Sequence, residues 1–452
     1  MTDTLAPGRG VLWTREHRVT TTGILLVITL VAFENMGVAT AMPTMVAELD
    51  GTALYSWPFT SFLVASVVAT VLSGRLGDAR GPKLGLLTGP LLFLAGLVVA
   101  GTAVTMPLLL LGRVLQGFGS GLVLVAVSLL IGLVYTDRER PVIYAANAAA
   151  WVLPGVIGPS IAGLVTERFG WRWVFLGLIP LVGIAVALLL SVVRRMEPHV
   201  PGETERRAGV PSAVVVAIGV AALTWAAQHP SPLALVYGAV GAVALVLSLR
   251  RLLPPGTLTL RAGLPTVVGA RALLSGAFFG MEAFLPLTLS TVHGYSPAAA
   301  GLPLTVTALG WSAASMLQGR YPDWSRELLL RTGFALVAVG VGVFAFVAQP
   351  WAPGWLAYAC TAIGGAGMGL AMPSVSLLLL RFSPVAERGF TMSASQLGDW
   401  VGSALTVGFG GVLLTALGSA ERPSAAMAVV GASMAGVALI GYLATRRWPE
   451  RG

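Results

Sequence analysis

The chain has 452 residues, of which 56% are hydrophobic and 10% charged, and its mean hydropathy is +0.84. A soluble globular domain carries about a quarter of charged residues, so this composition excludes one and points to the lipid bilayer. The net charge of +9 does not indicate a nucleic-acid partner, because the arginines lie in short clusters between apolar runs, not on one basic face. The single cysteine, Cys360, rules out an intramolecular disulfide, argues against a thiolate metal cluster and reads as a small buried hydrophobe.

A membrane helix needs about 20 mostly apolar residues. That rule predicts spans near 21–47, 54–75, 83–104, 106–135, 141–166 and 171–193, a six-helix bundle within residues 1–193. Residues 194–263 hold charged linkers and two further spans, near 210–228 and 231–249. Six more follow near 264–292, 297–318, 327–348, 353–380, 386–416 and 424–445, giving a second bundle over 264–452. The first apolar run is too long for a cleaved signal, and no small-residue cleavage site follows it.

Basic loops stay cytoplasmic, which tests the count of spans. With the N-terminus inside, twenty-three arginines and lysines fall on the cytoplasmic side and three outside, while Arg113 and Arg271 lie within or near the ends of spans. One missed helix would reverse every later loop and destroy this asymmetry. Both termini are therefore expected in the cytoplasm.

Laid on itself with a shift of 248 residues, the chain repeats. Gly117, Gly119 and Gly121 fall on Gly365, Gly367 and Gly369, Val127-Ser128-Leu129-Leu130 on Val375-Ser376-Leu377-Leu378, and Glu34 on Glu282. With a slip of three residues, Gly74, Arg75 and Asp78 meet Gly319, Arg320 and Asp323. Two tandem halves of about six helices are one of the ways secondary transporters are built. An acid recurring inside apolar spans suggests a polar pathway between the halves, since burying a carboxylate in hydrocarbon costs several kcal/mol.

Three stretches carry the chemistry. Between spans two and three runs Gly74-Arg75-Leu76-Gly77-Asp78-Ala79-Arg80-Gly81-Pro82-Lys83; span four holds Arg113-Val114-Leu115-Gln116-Gly117; span five holds Pro154-Gly155-Val156-Ile157-Gly158-Pro159-Ser160-Ile161-Ala162-Gly163. An unpaired guanidinium inside span four would be costly, so Arg113 should meet a carboxylate, a carbonyl or water, and Glu34 is a possible partner. The glycines of span five permit close helix approach and its prolines a kink. At the repeat shift Gly158-Pro159 meets Thr406-Val407, so this stretch belongs to one half only.

These motifs, with the repeat and the span count, resemble the major facilitator superfamily, and the 6 + 2 + 6 layout with Gly170-Trp171-Arg172 resembles its fourteen-span drug:proton antiporters. The resemblance implies an all-α integral membrane fold: two six-helix bundles related by pseudo-two-fold symmetry, plus two inserted central helices. It implies a gating loop at Gly74, Arg75, Asp78, Arg80 and Gly81, with Arg320 and Asp323 in the other half, in which Asp78 caps a helix of the opposite lobe. It also implies a role in proton transfer for Arg113 and an antiporter motif at Pro154, Gly155, Gly158, Pro159 and Gly163. Span one departs from the family's usual aspartate, reading Phe33-Glu34-Asn35-Met36.

Glu34, Glu282 and Asp399 lie well inside apolar spans and are the candidate proton carriers, because desolvation favours the protonated form of a carboxylic acid. Each could instead be a structural acid paired to an arginine or to backbone. Phe33, Asn35, Met36, Phe279, Met281, Trp311 and Trp400, polar, aromatic or methionine residues within the spans, could line a cavity for a lipophilic small molecule, cations included. The two inserted helices carry no acid and look peripheral to coupling.

The expected activity is proton-driven export of drugs or antibiotics, with protons as the coupling ion and no cofactor. Lipid or glycolipid export and a proton symporter are the alternatives. No nucleophile-base set or metal-ligand spacing supports an enzyme, and no phosphate-binding loop supports an ATP-driven pump. Beyond substrate and membrane lipids no partner is implied, and a monomer suffices. Arginine dominance, with Lys83 the one lysine, and abundant alanine and glycine suggest a bacterial inner membrane.

Overall fold

The computed structural model describes residues 9–136, 138–196, 209–321, 323–384, 387–418 and 422–446, with the side chains of Arg9, Val11, Asp78 and Pro141 outside that description. Among the described residues there are helices and no strands, and fourteen helical segments are long and apolar enough to cross a membrane. The chain is a multi-pass membrane protein.

The first bundle consists of α1 (Arg18–Glu48), α2 (Trp57–Arg80), α3 (Lys83–Gly101), α4 (Met106–Val134), α5 (Arg140–Phe169), and α6 (Arg172–Leu176) with α7 (Ile179–Arg195). The inserted pair is α8 (Val210–Gln228) and α9 (Pro232–Leu252). The second bundle consists of α10 (Leu264–Glu282) with α11 (Leu285–His293), α12 (Pro297–Arg320), α13 (Arg326–Val347), α14 (Leu356–Phe382), α15 (Arg388–Leu417) and α16 (Ser424–Arg446). Local chemistry sets several ends. Gly81 (φ 72°) and Gly170 (φ 89°) stop α2 and α5 in backbone that favours glycine. Ser231, Ser296 and Ser325 accept the N–H three residues on and start α9, α12 and α13.

Two of the predicted spans are broken. Span six is divided between α6 and α7 at Gly177-Leu178, ahead of Pro180, and span nine between α10 and α11 at Ala283-Phe284, ahead of Pro286. Proline lacks an N–H and suits the first turn of a helix, so a hydropathy window sees one span where the backbone makes two.

The internal repeat is also a repeat of packing. In the first bundle α4 packs on α2 and α3, α1 on α5 and α7, and α3 on α7; in the second α14 packs on α12 and α13, α10 on α15 and α16, and α13 on α16. The repeated glycines are what admit these approaches. A Cβ on Gly119 would lie 2.5 Å from the carbonyl oxygen of Gly89 on α3, and one on its counterpart Gly367 would lie 2.7 Å from that of Gly333 on α13. Small residues let membrane helices pack backbone to backbone, where dispersion contacts replace the missing hydrophobic drive.

Candidate functional site

The two bundles meet along two related seams, α5 against α12 and α2 against α15. The first is the tighter at the end of the molecule remote from Arg18 and Arg446. There a Cβ on Gly163 would lie 2.5 Å from the Ala298 backbone, and one on Gly301 2.9 Å from the Pro159 carbonyl. Ser160 Oγ and Thr305 Oγ1 are 3.3 Å apart, and the Ala298 N–H donates to Glu167 at 2.9 Å. Gly155 packs on Ala308, while Gly158 faces Phe33 and Met36 of α1 and Pro154 is buried. The glycine- and proline-rich stretch of α5 thus wedges between α1 and the opposite bundle.

Tyr55 closes the same end. Its hydroxyl donates to the Ala283 carbonyl at 3.1 Å, and its ring stacks on Phe284 with centroids 5.5 Å apart. The inserted α8 crosses the second seam here, packing on both α2 and α15. Trp57 Nε1 donates to Gln228 Oε1 at 2.8 Å, Gln228 Nε2 lies 3.5 Å from Ser56 Oγ, and Thr224 packs against Gly408. The inserted pair, expected to be peripheral to coupling, is not peripheral to packing: α8 touches both bundles.

Between the seams lies a cavity of about 860 Å³ lined by both bundles. Ser128, Met392 and Ser393, near the opposite ends of α4 and α15, are exposed members of its wall, so it opens on the face that carries Arg18 and Arg446. Of the residues expected to line it, Asn35, Met36, Phe279, Trp311 and Trp400 do. Phe33 and Met281 do not. Phe33 packs on Gly158 beside Gly37, and Met281 is fully buried with its sulfur 4.0 Å from Cys360 Sγ. Both lie within the period of a lining residue but on the neighbouring face of their helix, a distinction that spacing around a single acid cannot make.

The acids occupy three different environments. Glu34 and Arg113 are both buried and form an ion pair. Arg113 also donates from Nη1 to Gln116 Oε1 at 2.8 Å and from Nε to the Pro58 carbonyl at 3.1 Å, and it lies 4.5 Å over the Phe62 ring. A guanidinium can be held out of water only with its donors met in this way. Asp399 pairs with Arg271 Nη2 at 3.1 Å, and Gln396 bonds to both at 3.0 and 3.1 Å. In the sequence Arg271 is legible only as a charge within or near the end of a span; its partners come from a helix far along the chain.

Glu282 stands apart. It is buried, lines the cavity, ends α10 at the break in span nine, and makes no ion pair among the described residues. Thr307 of α12 is beside it. The repeat supplies the reason for its isolation. The position equivalent to Arg113 is Thr361, whose hydroxyl bonds to the Ala357 carbonyl of its own helix at 2.9 Å. Equivalent acids therefore have unlike neighbours, and a carboxylate at the end of a discontinuous membrane helix is where transporters place ion and substrate sites.

The loop residues lie at the open end. Gly74, Arg75 and Arg80 belong to the last turns of α2, Gly81 caps it, and the side chain of Asp78 is outside the described residues. Arg320 ends α12 and Asp323 follows it. An ion pair at this end of the second bundle joins Arg381 and Glu327 at 2.9 Å, neither of them in the expected set.

Comparison with known proteins fits this architecture. The family model described as Major Facilitator Superfamily matches residues 24–375 and again 267–451. A transporter of Aspergillus aculeatus named as the MFS-type transporter of the acurin A biosynthesis cluster is 28% identical over 355 residues, covering 72% of this chain and 62% of its own length. This chain thus spans less than two thirds of that relative. The multidrug transporter protein MdtP of Bacillus subtilis is 24% identical over 411 residues, covering 87% of this chain and 75% of its own. A crystal structure of a POT family transporter in complex with 5-aminolevulinic acid superposes with a TM-score of 0.71 over 94% of each chain at 16% identity, a likeness of fold.

Proposed function

The chain belongs to the major facilitator superfamily, and on that premise we propose that it is a proton-coupled exporter of lipophilic, cationic small molecules such as drugs or antibiotics. The observation that carries this reading is Glu282, a carboxylate on the wall of a largely apolar cavity with no cationic partner among the described residues. Left ionised in that setting it is costly, so it is neutralised either by a proton or by the positive end of a ligand. Exchange of one for the other is antiport. The multidrug name of the Bacillus relative supports the substrate class.

By the positive-inside rule the open face is cytoplasmic, both termini lie inside, and the structure is inward-facing. Substrate enters from the cytoplasm or inner leaflet, the far-end contacts of α5, Tyr55 and α8 open as the bundles rock, and a proton taken outside displaces the substrate. Arg113 holds Glu34 in the first bundle as a fixed element, while Asp399 with Arg271 forms a second polar site. The abundance of arginine and alanine favours a bacterial inner membrane.

The test is proton release from detergent-purified protein on adding lipophilic cations such as tetraphenylphosphonium, with Glu34→Gln, Glu282→Gln and Asp399→Asn as comparisons. Release by the wild type and its loss in Glu282→Gln is the expected result. Binding without release removes antiport, and binding of lipids alone replaces drug export with lipid export.

A further inference from the structure

Arg271 and Glu282 stand eleven residues apart on α10, which is three helical turns to within about 20°, or about 16 Å along one face. Both line the cavity. Because α10 starts at the open face, Arg271 lies toward the mouth, and Glu282 lies at the base, beside Ala283 and the Tyr55–Phe284 plug. Apolar and aromatic residues stand on the same wall, among them Phe279 on α10 and Trp311 of α12, whose ring packs edge-on against Phe278. One helix face thus presents a cation-seeking group deep in the cavity and a guanidinium near its entrance.

The guanidinium is only partly used. Both of its bonds, to Asp399 and Gln396, come from Nη2, while Nη1 makes none among the described residues. Nε of Arg271 and Oδ1 of Asp399 are also without a protein hydrogen bond. The Arg113 cluster has a like remainder, Glu34 Oε2 and Gln116 Nε2, so what distinguishes Arg271 is its place on the cavity wall toward the mouth, on the same helix as Glu282. Nε and Oδ1 are buried, so the donor left for a ligand is Nη1.

Resting on the exporter reading above, we propose that the preferred substrates are elongated zwitterions. Their cationic end is received at Glu282, and a carboxylate or equally strong acceptor about three helical turns away is received by Arg271, with Asp399 and Gln396 positioning the guanidinium. A lipophilic monocation satisfies Glu282 alone. A zwitterion of matching length meets a partner at both ends, so the desolvation of its second charge is offset by the bond at Arg271.

The probes are an ω-trimethylammonio fatty acid long enough to bridge about 16 Å, a short-chain homologue, and the methyl ester of each, which keeps the cation and removes the anion. Their competition with tetraphenylphosphonium is measured on purified wild type, on Arg271→Gln with Asp399→Asn, which removes both charges together and avoids stranding either, and on Glu282→Gln. The long acid is expected to bind about tenfold tighter than its ester, the gain of one charge-assisted bond, with no such preference in the short pair. The double variant should lose the preference for acid over ester, and Glu282→Gln should weaken acid and ester alike. If the long acid and ester bind equally to the wild type, the proposal is overturned while cation export stands. If none of the four competes and tetraphenylphosphonium itself does not bind, the exporter reading falls and this proposal with it. Should the double variant misfold, Arg271→Lys provides the second check: it keeps the charge but loses the fork, and an unchanged acid-over-ester ratio there together with length independence in the wild type also overturns the proposal.

Discussion

Arg113 binds Glu34 from the third turn of α4, and the same guanidinium reaches the carbonyl of Pro58, so one side chain joins α4 to α1 and α2 inside the first bundle. The pair is fully desolvated. Its energetics are therefore those of an interaction that is near neutral as a whole and severe when halved.

Removing one partner is predicted to destabilise more than removing both. Glu34→Gln and Arg113→Met singly should each cost about 3–5 kcal/mol, read as loss of monodisperse protein and a lower Tm in detergent. The double substitution Glu34→Leu with Arg113→Met should recover much of that loss. Equal damage from the singles and the double would mean that the pair is not a charge-balanced unit.

Glu282→Gln is expected to behave in the opposite way. No cation is stranded by it, so folding and Tm should hold, while uptake of a lipophilic cation into inside-out vesicles should fall at least about tenfold. Competition with protons gives the sign of the pH effect: acidification of the cytoplasmic face weakens cation binding in the wild type and leaves Glu282→Gln unaffected. A binding curve for the variant that follows the wild type across pH would place the titrating group elsewhere.

The seam between α5 and α12 must part if the cavity is to open at its closed end. Cysteines at Glu167 and Ala298, whose side chain and backbone touch across it, should cross-link on oxidation and stop transport, with recovery on reduction. Cys360 is buried and will not compete. In the same seam Gly163→Leu has no room against the Ala298 backbone, so it should wedge the bundles apart and bias the protein toward opening there, seen as faster labelling of Tyr55→Cys.

Gln228 on α8 ties the inserted pair to Trp57 and Ser56. Gln228→Ala removes these bonds and is predicted to favour the opened far end by about 1 kcal/mol, again through a higher labelling rate at Tyr55→Cys. An unchanged rate would make α8 a passenger on one bundle.

Much of this was legible in the residues themselves, for physical reasons. Apolar length fixed where Arg18–Glu48, Val210–Gln228 and the other spans lie, because bilayer thickness imposes a length and backbone hydrogen bonding imposes the helix. The shift of 248 residues announced two like bundles, and the glycines it aligns proved to be the points where α4 and α14 touch their neighbours. What a linear reading could not assign was partnership. Glu34 and Glu282 are equivalent in sequence, yet one meets Arg113 and the other faces the cavity near Thr307, because pairing depends on which helix packs alongside and on what side chain it brings. The same holds for Phe33 and Met281, turned away from the cavity by less than half a turn of helix, and for Arg271, whose companions Gln396 and Asp399 arrive from a helix more than a hundred residues later. Span, repeat and buried charge follow from local composition and the bilayer; which charge is balanced and which stays free to bind is decided only when the helices are packed.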